Sequence, residues 1–166
     1  YERHNGNVIT HLVTNDDCAS FVAPQDGFSR GVNSIFSFDL TSSDFSFEAD
    51  HIIGTYPLVY SSADALILAE KSWDSWWFWN SDDSDEATNI HMFDISDPGT
   101  TDYIASGRVE GTIQDQFSLS EYQGVLRVAS TEGQWGRWWL DNPEPMTSNV
   151  VTLQPITDAT GHTTLE

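Results

Sequence analysis

The sequence predicts an all-β protein built from antiparallel four-stranded sheets. From Thr88 to Ala129, apolar and polar residues alternate as they do in half-buried strands. The alternation stops at Asp97-Pro98-Gly99 and at Tyr122-Gln123-Gly124, which are turn-forming sequences. This stretch lacks the three-to-four-residue spacing of apolar positions that is typical of an amphipathic helix, so we expect strands joined by turns.

An internal repeat of about 60 residues indicates how the strands are organised. Asp39 and Asp94 are 55 positions apart (94 − 39), and Gly54 and Gly111 are 57 apart (111 − 54). The Leu66–Ala69 segment resembles Leu126–Ala129 at an offset of 60 (126 − 66), and Asn33, Asn89 and Asn149 open similar strands. Each copy contains roughly four strands, which is typical of a β-propeller blade. We therefore predict a partial propeller of about two to three blades.

The predicted blades form one continuous β domain. Residues 1–56 give a partial blade with an N-terminal loop region, residues 57–111 a complete blade, and residues 112–166 another partial blade. The predicted strands are Asn7–Val13, Ile35–Leu40, Phe45–Ile52, Leu58–Ser61, Ala65–Ala69, Asn89–Ile95, Tyr103–Val109, Gln116–Leu119, Val125–Ser130 and Val150–Gln154.

The charge of the chain argues against two classes of partner. Its 166 residues include 26 acidic and 6 basic side chains, a net charge of −20. Such a field repels nucleic-acid phosphates and anionic membrane surfaces. The sequence lacks an apolar run of membrane-spanning length, and Cys18, the single cysteine, allows no intrachain disulfide. No signal peptide precedes Tyr1, and because the sequence also lacks an initiator methionine, we expect it to be a mature or excised piece of a longer protein.

Two tryptophan-rich segments are the strongest candidates for a binding surface. They contain all seven tryptophans of the chain, and Trp73, Trp76 and Trp77 recur 62 residues later (135 − 73, 138 − 76, 139 − 77). Successive blades place equivalent loops side by side, and exposed tryptophan faces stack on sugars or anchor protein partners. Packing of these side chains within or between blades is the alternative. The candidate residues are Trp73, Trp76, Trp77, Trp79, Trp135, Trp138 and Trp139.

An acidic run that begins three residues after Trp79, at Asp82, is the candidate metal site. Several carboxylates on one loop can bind Ca²⁺, which takes six to eight oxygen ligands. The EF-hand spacing of glycine and glutamate is absent, and a solvated loop is the alternative. No other cofactor is expected. The candidate ligands are Asp82, Asp83, Asp85 and Glu86.

Other polar residues offer weaker signals for chemistry. The sequence contains no H-E-x-x-H zinc motif. His91 lies in an alternating strand, where we expect an interior histidine with its hydrogen bonds satisfied. Glu121 and Arg127 flank a turn, and we expect a cross-strand ion pair between them. With 26 acids, some carboxylate pair will always match the arrangement needed for glycoside hydrolysis, so that signal carries little weight.

The stretch from Ile90 to Ala129 resembles a family of secreted or lipid-anchored prokaryotic proteins that contain a C-terminal beta-propeller domain. The resemblance lies in Ile90-His91-x-Phe93-Asp94-Ile95, Tyr103-Ile104-Ala105-Ser106-Gly107-x-Val109-x-Gly111 and Gln116-Phe117-Ser118-x-x-Glu121-Tyr122-x-Gly124-x-Leu126-Arg127-Val128-Ala129. It implies an extracytoplasmic propeller with no known enzymatic activity. Propellers of that family are several times longer, so the chain resembles an internal fragment of about two blades.

Three functions remain open at this point. The first is a non-enzymatic scaffold or binding module that uses the tryptophan-rich loops to contact a protein or a glycan. The second is a carbohydrate-active hydrolase, which needs two carboxylates about 5–10 Å apart in a pocket. The third is a structural cell-surface module whose assembly Ca²⁺ assists. Open sheet edges also make dimerisation a possibility.

Overall fold

The computed structural model describes residues 2–4, 7–9, 21–22, 31–44, 47–72, 86–133 and 145–166. Within these ranges the chain forms fourteen strands and one short 3-10 helix at Gln116–Ser118. The strands are β1 Glu2–His4, β2 Asn7–Ile9, β3 Phe21–Val22, β4 Gly31–Ser37, β5 Glu48–Gly54, β6 Leu58–Ser61, β7 Ala65–Lys71, β8 Ala87–Asp94, β9 Asp102–Glu110, β10 Leu119–Tyr122, β11 Val125–Glu132, β12 Thr147–Leu153, β13 Pro155–Thr157 and β14 Thr163–Leu165.

Three sheets carry the fold, beside a separate β1–β2 hairpin. The N-terminal sheet has the order β3-β5-β4, and the C-terminal sheet has the order β10-β11-β12. The central sheet has the order β13-β14-β9-β8-β7-β6, in which β6 to β9 form an antiparallel meander. The predicted all-β fold with antiparallel sheets is confirmed. Two parallel pairings were not predicted: β3 joins β5 at the edge of the N-terminal sheet, and β14 joins β9, with β13 beyond β14 at the edge of the central sheet.

The central sheet is covered on both faces, which explains why β7 is continuously apolar from Ala65 to Ala69. In β7, Ile67 and Ala69 face the C-terminal sheet, whereas Leu68 faces the N-terminal sheet. A strand buried on both sides loses the alternation of a half-exposed strand and reads as a continuous apolar run. One core lies between the central and C-terminal sheets, and a smaller one, built on Ile52, Leu68 and Phe93, lies between the central and N-terminal sheets.

The repeated aspartates cap turns. Oδ1 of Asp39 accepts the backbone N–H of Thr41 at 2.7 Å, and Oδ1 of Asp94 accepts that of Ser96 at 2.8 Å. Hydrogen bonds from these hydroxyl residues lower the pKa of both aspartates. Asp and Asn favour such turns because a short side chain reaches the backbone two residues ahead. Some of the acidic side chains of the chain therefore stabilise turns.

Two details of the third repeat differ from the prediction. The predicted strand Gln116–Leu119 is largely the 3-10 helix, capped by the Asp115 side chain, and β10 begins only at Leu119. The ion pair expected between Glu121 and Arg127 does not form, because β10 and β11 pair Glu121 with Leu126 and Ser120 with Arg127. The two charges thus lie on opposite faces, and the Glu121 carboxylate accepts the N–H of Gly124 instead.

The register of the repeat also needs one correction. An offset of 55 relates Asp39 to Asp94 and Asn33 to Thr88 (88 − 33). Asn33 and Thr88 each donate a side-chain hydrogen bond to a backbone carbonyl at the end of the following strand. Asn33 bonds Thr55 O, and Thr88 bonds Gly111 O. Asn33 faces the central sheet, whereas Asn89 lies on the opposite face of its own repeat. The alignment of Asn33 with Asn89 is therefore wrong by one residue.

Candidate functional site

The two tryptophan-rich segments connect equivalent strands. In the central sheet, Lys71 pairs with Thr88, and the N–H of Ser72 bonds Ala87 O at 2.9 Å. In the C-terminal sheet, β11 and β12 pair up to Glu132 and Thr147. Residues 73–85 and 134–144 therefore each join the second strand of a sheet to the third, and they leave from corresponding ends.

The bases of these two connections are tied together by Gly111 and Thr112. The N–H of Gly111 bonds Glu86 O at 2.5 Å, at the end of the first connection. Thr112 exchanges two backbone hydrogen bonds with Thr131, at 2.8 and 3.0 Å, just before the second connection. The Thr88 hydroxyl adds a bond to Gly111 O at 2.9 Å. Two consecutive residues thus hold the end of the first segment close to the start of the second.

Position 111 requires glycine, and we call the Gly111–Thr112 pair the corner between the two sheets. Gly111 has φ +84°, in the left-handed region that disfavours side chains. An added Cβ would also lie 2.7 Å from Thr131 O and 3.1 Å from Glu132 N, so the C-terminal sheet could not approach as closely. The sequence signal was the recurrence of Gly54-Thr55 as Gly111-Thr112. The repeat identified the two glycines, but it did not predict that Gly111 and Thr112 connect the two sheets.

Most of the candidate binding and metal residues lie outside the described residues. This holds for Trp73, Trp76, Trp77, Trp79, Trp135, Trp138 and Trp139, and for Asp82, Asp83 and Asp85. Glu86 is described and is half-buried, and its backbone carbonyl accepts the Gly111 bond. Within the described ranges, no group of three His, Cys, Asp or Glu side chains is placed to hold a metal ion.

A buried polar pair lies at the seam between the central and N-terminal sheets. Oε2 of Glu70 accepts bonds from the N–H of Thr55 at 2.7 Å and from its hydroxyl at 3.2 Å. His91 Nε2 lies 3.6 Å from Glu70 Oε1, and both side chains are almost fully buried. Burial raises the pKa of Glu70, but His91 and Thr55 outweigh it and leave the pKa below its usual value.

The expectation of a satisfied His91 was only half right. The ring is buried as predicted, yet neither ring nitrogen makes a hydrogen bond within the described part of the chain. At an offset of 60, Ser130 and Val151 occupy the positions of Glu70 and His91 (130 − 70, 151 − 91). The pair therefore belongs to the central sheet alone, and no repetition pointed to it.

Asp50 is the described carboxylate with a raised pKa. It lies on the face of β5 that meets the central sheet, and its Oδ2 is buried without a hydrogen bond. Burial raises its pKa, and the nearby negative charges of Glu48 and Asp102 add to this effect, against weaker opposing contributions from Thr101 and His51. Glu48 is held in turn by the N–H of Thr101, at 3.2 Å. These groups lie close together where two sheets meet.

Comparison with known proteins decides which fold family these stacked sheets represent. A family model described as "Beta propeller domain" matches residues 7–164. The chain belongs to the beta propeller domain family. A search of curated proteins and a search of solved structures each found no match.

Because the chain belongs to this family, we interpret the three stacked sheets as blades of a propeller. The β6–β9 meander is the four-stranded unit of that architecture, and loops between successive strands gather at the ends of the sheets. The corner built by Gly111 and Thr112 thus joins two neighbouring blades. No helix long and apolar enough to cross a membrane occurs in the described ranges.

Proposed function

We propose that this propeller is a non-enzymatic, extracytoplasmic scaffold and binding module, and that its two tryptophan-rich segments form one contact surface for a glycan or a protein. The observation that carries the proposal is the Gly111–Thr112 corner. It hydrogen-bonds to Glu86 and to Thr131, so the chain leaves the first connection and enters the second at neighbouring positions.

The composition of the two segments supports a shared surface. The spacing of Trp73, Trp76 and Trp77 recurs in the second segment, with an asparagine following each set. Indole rings combine a large apolar face, on which a sugar ring can stack, with an N–H donor for a hydroxyl or carbonyl group. Two adjacent sets of this kind offer more contact area than either one alone, which favours an extended ligand.

The extracytoplasmic location rests on the family resemblance of the Ile90–Ala129 stretch. The net charge of −20 is consistent with a surface that repels nucleic acids. Ca²⁺ binding by Asp82, Asp83, Asp85 and Glu86 stays a separate proposal. Isothermal titration with CaCl₂ would test it, and Asp82→Asn with Asp83→Asn should abolish any heat of binding.

Tryptophan fluorescence tests the binding proposal directly, because all seven tryptophans lie in the two segments. Acrylamide should quench the emission strongly, and the ligand within a panel of oligosaccharides should protect against quenching. Trp76→Ala and Trp138→Ala should each reduce that protection, whereas the exposed Phe117→Ala serves as a control that leaves it unchanged. Emission that acrylamide cannot reach, and that responds to no oligosaccharide or protein, would assign the tryptophans to packing and overturn the proposal.

A glycoside hydrolase is the second candidate, and the raised pKa of Asp50 is the observation that favours it. A carboxyl group whose pKa is raised is suited to act as general acid, with a neighbouring carboxylate such as Glu48 as its partner. Hydrolysis of chromogenic glycosides that Asp50→Asn abolishes, while Asp44→Asn does not, would favour this candidate. Activity that persists in Asp50→Asn would exclude Asp50 as the acid.

A further inference from the structure

Three acidic side chains lie together in the seam between the N-terminal and central sheets, at the end where β4 joins β5 and β8 joins β9. Glu48 and Asp50 are two positions apart in β5, so both project toward the central sheet. Asp102 is the first residue of β9. Burial raises the pKa of Asp50, and the negative charges of Glu48 and Asp102 raise it further. Within the described part of the chain, no lysine or arginine forms an ion pair with these carboxylates.

Thr101 contacts these acids from the other side of the seam. Its N–H donates to Glu48 Oε2 at 3.2 Å, and its hydroxyl lies close enough to Asp50 to lower the pKa of that carboxyl group. Thr101 is 2% exposed, yet neither its Oγ1 nor Asp50 Oδ2 makes a hydrogen bond with the described residues, and both atoms are buried. Burying polar atoms without partners costs free energy. Two such oxygen atoms, one from each sheet, therefore indicate a ligand that binds both.

The next seam closes without these groups. At the offset of 57 between the two repeated glycines, Glu48 and Asp50 correspond to Ala105 and Gly107 (105 − 48, 107 − 50). Neither of these residues carries a charge, and Ala105 belongs to the core between the central and C-terminal sheets. Packing one sheet on the next therefore does not require carboxylates at these positions, which favours a binding function for Glu48 and Asp50.

We propose that the carboxylates of Glu48 and Asp50 and the hydroxyl of Thr101 bind a Ca²⁺ ion that bridges the N-terminal and central sheets, with water as the remaining ligands. Two carboxylates balance the charge of one divalent cation, and all three groups present oxygen, the donor atom that Ca²⁺ takes. Ca²⁺ accepts irregular geometry and water ligands, so two acidic ligands suffice, although no described group contains three. Glu48 is exposed, which gives the ion access from solvent.

This site goes beyond the proposed binding function and is separate from the acidic run at Asp82. That run lies in the connection between β7 and β8, which joins the other ends of these strands. The site also uses Asp50 differently from the hydrolase candidate, because a carboxylate that ligates Ca²⁺ is not available as a general acid. The net charge of −20 attracts cations, and we expect a dissociation constant of about 10⁻⁴ to 10⁻³ M, as in extracellular Ca²⁺ modules.

Thermal unfolding of the whole chain in EDTA and in a CaCl₂ titration tests the proposal. NaCl keeps the ionic strength constant, because salt alone screens the repulsion among the acids. CaCl₂ at about 10 mM should raise Tm by about 5 °C, and MgCl₂ should raise it less, because Mg²⁺ demands octahedral geometry. Asp50→Asn and Thr101→Val should each weaken Ca²⁺ binding about tenfold or more. Asp44→Asn and Thr152→Val are the matched controls, since they remove the same groups at exposed positions.

Stability without Ca²⁺ separates binding from folding. In EDTA, Asp50→Asn should be at least as stable as the wild type, because it removes a charge that burial disfavours. A purely structural function of Asp50 would instead make this variant less stable in EDTA and in CaCl₂ alike. The double variant Asp82→Asn with Asp83→Asn should keep the Ca²⁺-dependent rise in Tm, because it leaves the seam unchanged.

Three results would overturn the proposal. The first is a wild-type Tm that CaCl₂ leaves unchanged, or that NaCl or MgCl₂ raises equally, because the effect would then be charge screening. The second is a Ca²⁺ response that persists in full in Asp50→Asn and Thr101→Val. The third is a response that the double variant of Asp82 and Asp83 abolishes. Circular dichroism verifies folding of each variant. Thr101→Val keeps the N–H that Glu48 accepts, so it decides the outcome if Asp50→Asn does not fold.

Discussion

The backbone N–H of Thr55 donates a 2.7 Å hydrogen bond to Oε2 of Glu70, across the seam between the N-terminal and central sheets. Gly54 makes room for this carboxylate, because a Cβ at that position would overlap with both Glu70 oxygens. In the next seam the equivalent Thr112 bonds the backbone oxygen of Thr131 instead. Equivalent threonines thus donate to a side-chain acceptor in one seam and to a backbone acceptor in the other.

Replacing Glu70 with alanine should destabilise the protein by about 2 kcal/mol, because the Thr55 N–H loses its acceptor in a buried site. Urea unfolding monitored by circular dichroism measures the change. Glu110→Ala removes an exposed carboxylate from β9 and should cost much less. Equal losses in the two variants would show that the Thr55–Glu70 bond contributes nothing particular to stability.

The pH dependence of stability should also change when Glu70 is removed. Its pKa is lowered in the folded state from a usual value of 4.5, so the stability it contributes is present above pH 4.5 and is lost as the pH falls through the folded pKa. Asp39, Asp94 and Asp158 also have lowered pKa values, so the wild-type protein loses stability in acid for several reasons. The difference between wild type and Glu70→Ala should therefore shrink below about pH 4. A difference that is constant from pH 7 to pH 3 would contradict this assignment.

Alanine at Gly111 should destabilise the protein by about 3 kcal/mol, from left-handed backbone strain together with the clash against Thr131 O. Gly124 separates the two contributions, because it has φ +76° but nothing within 4 Å of an added Cβ. Gly124→Ala should cost only about 1 kcal/mol. Thermal unfolding compares the two variants. If their losses were the same, the close approach of β11 to Gly111 would be energetically unimportant.

The C-terminal β13–β14 hairpin should detach when Gly107 is replaced. A Cβ there would lie 2.5 Å from Leu165 O, and β14 is held to β9 through the pairing of Thr164 with Ser106. Gly107→Val should speed amide hydrogen exchange across 155–166 while β7 and β8 keep their protection. Hydrogen exchange with mass spectrometry measures this. Faster exchange throughout the central sheet would show that the hairpin and the sheet unfold together.

The sequence predicted most of the fold because strand pattern and turn residues are local signals. The Tyr122–Gly124 turn formed as expected, with Gln123 at φ 54° and Gly124 at φ 76°, which matches the two-residue hairpins that twisted strands favour. The strand ends in the structure differ from the predicted ends by a few residues. The Gln116–Ser118 segment became helical because Asp115 caps it, a competing local interaction that alternation does not report.

The candidate site was predictable only in part. Repetition identified the two tryptophan-rich segments and the two glycines, since equivalent positions leave equivalent residues in the sequence. It could not identify Glu70 and His91, which occur in one repeat alone, nor the raised pKa of Asp50. Those properties arise where residues far apart in sequence are buried against each other, and the sequence gives no measure of that burial.

The amino-acid sequence by itself determined the all-β class, the repeat, the turns and the acidic surface, because each depends on residues close to one another along the chain. Only the tertiary structure decided that Gly111 and Thr112 bind the bases of both tryptophan-rich connections, and that β3 and β14 pair in parallel with β5 and β9. These features depend on how one sheet packs on the next, a long-range contact that the local alternation of residues permits but does not specify.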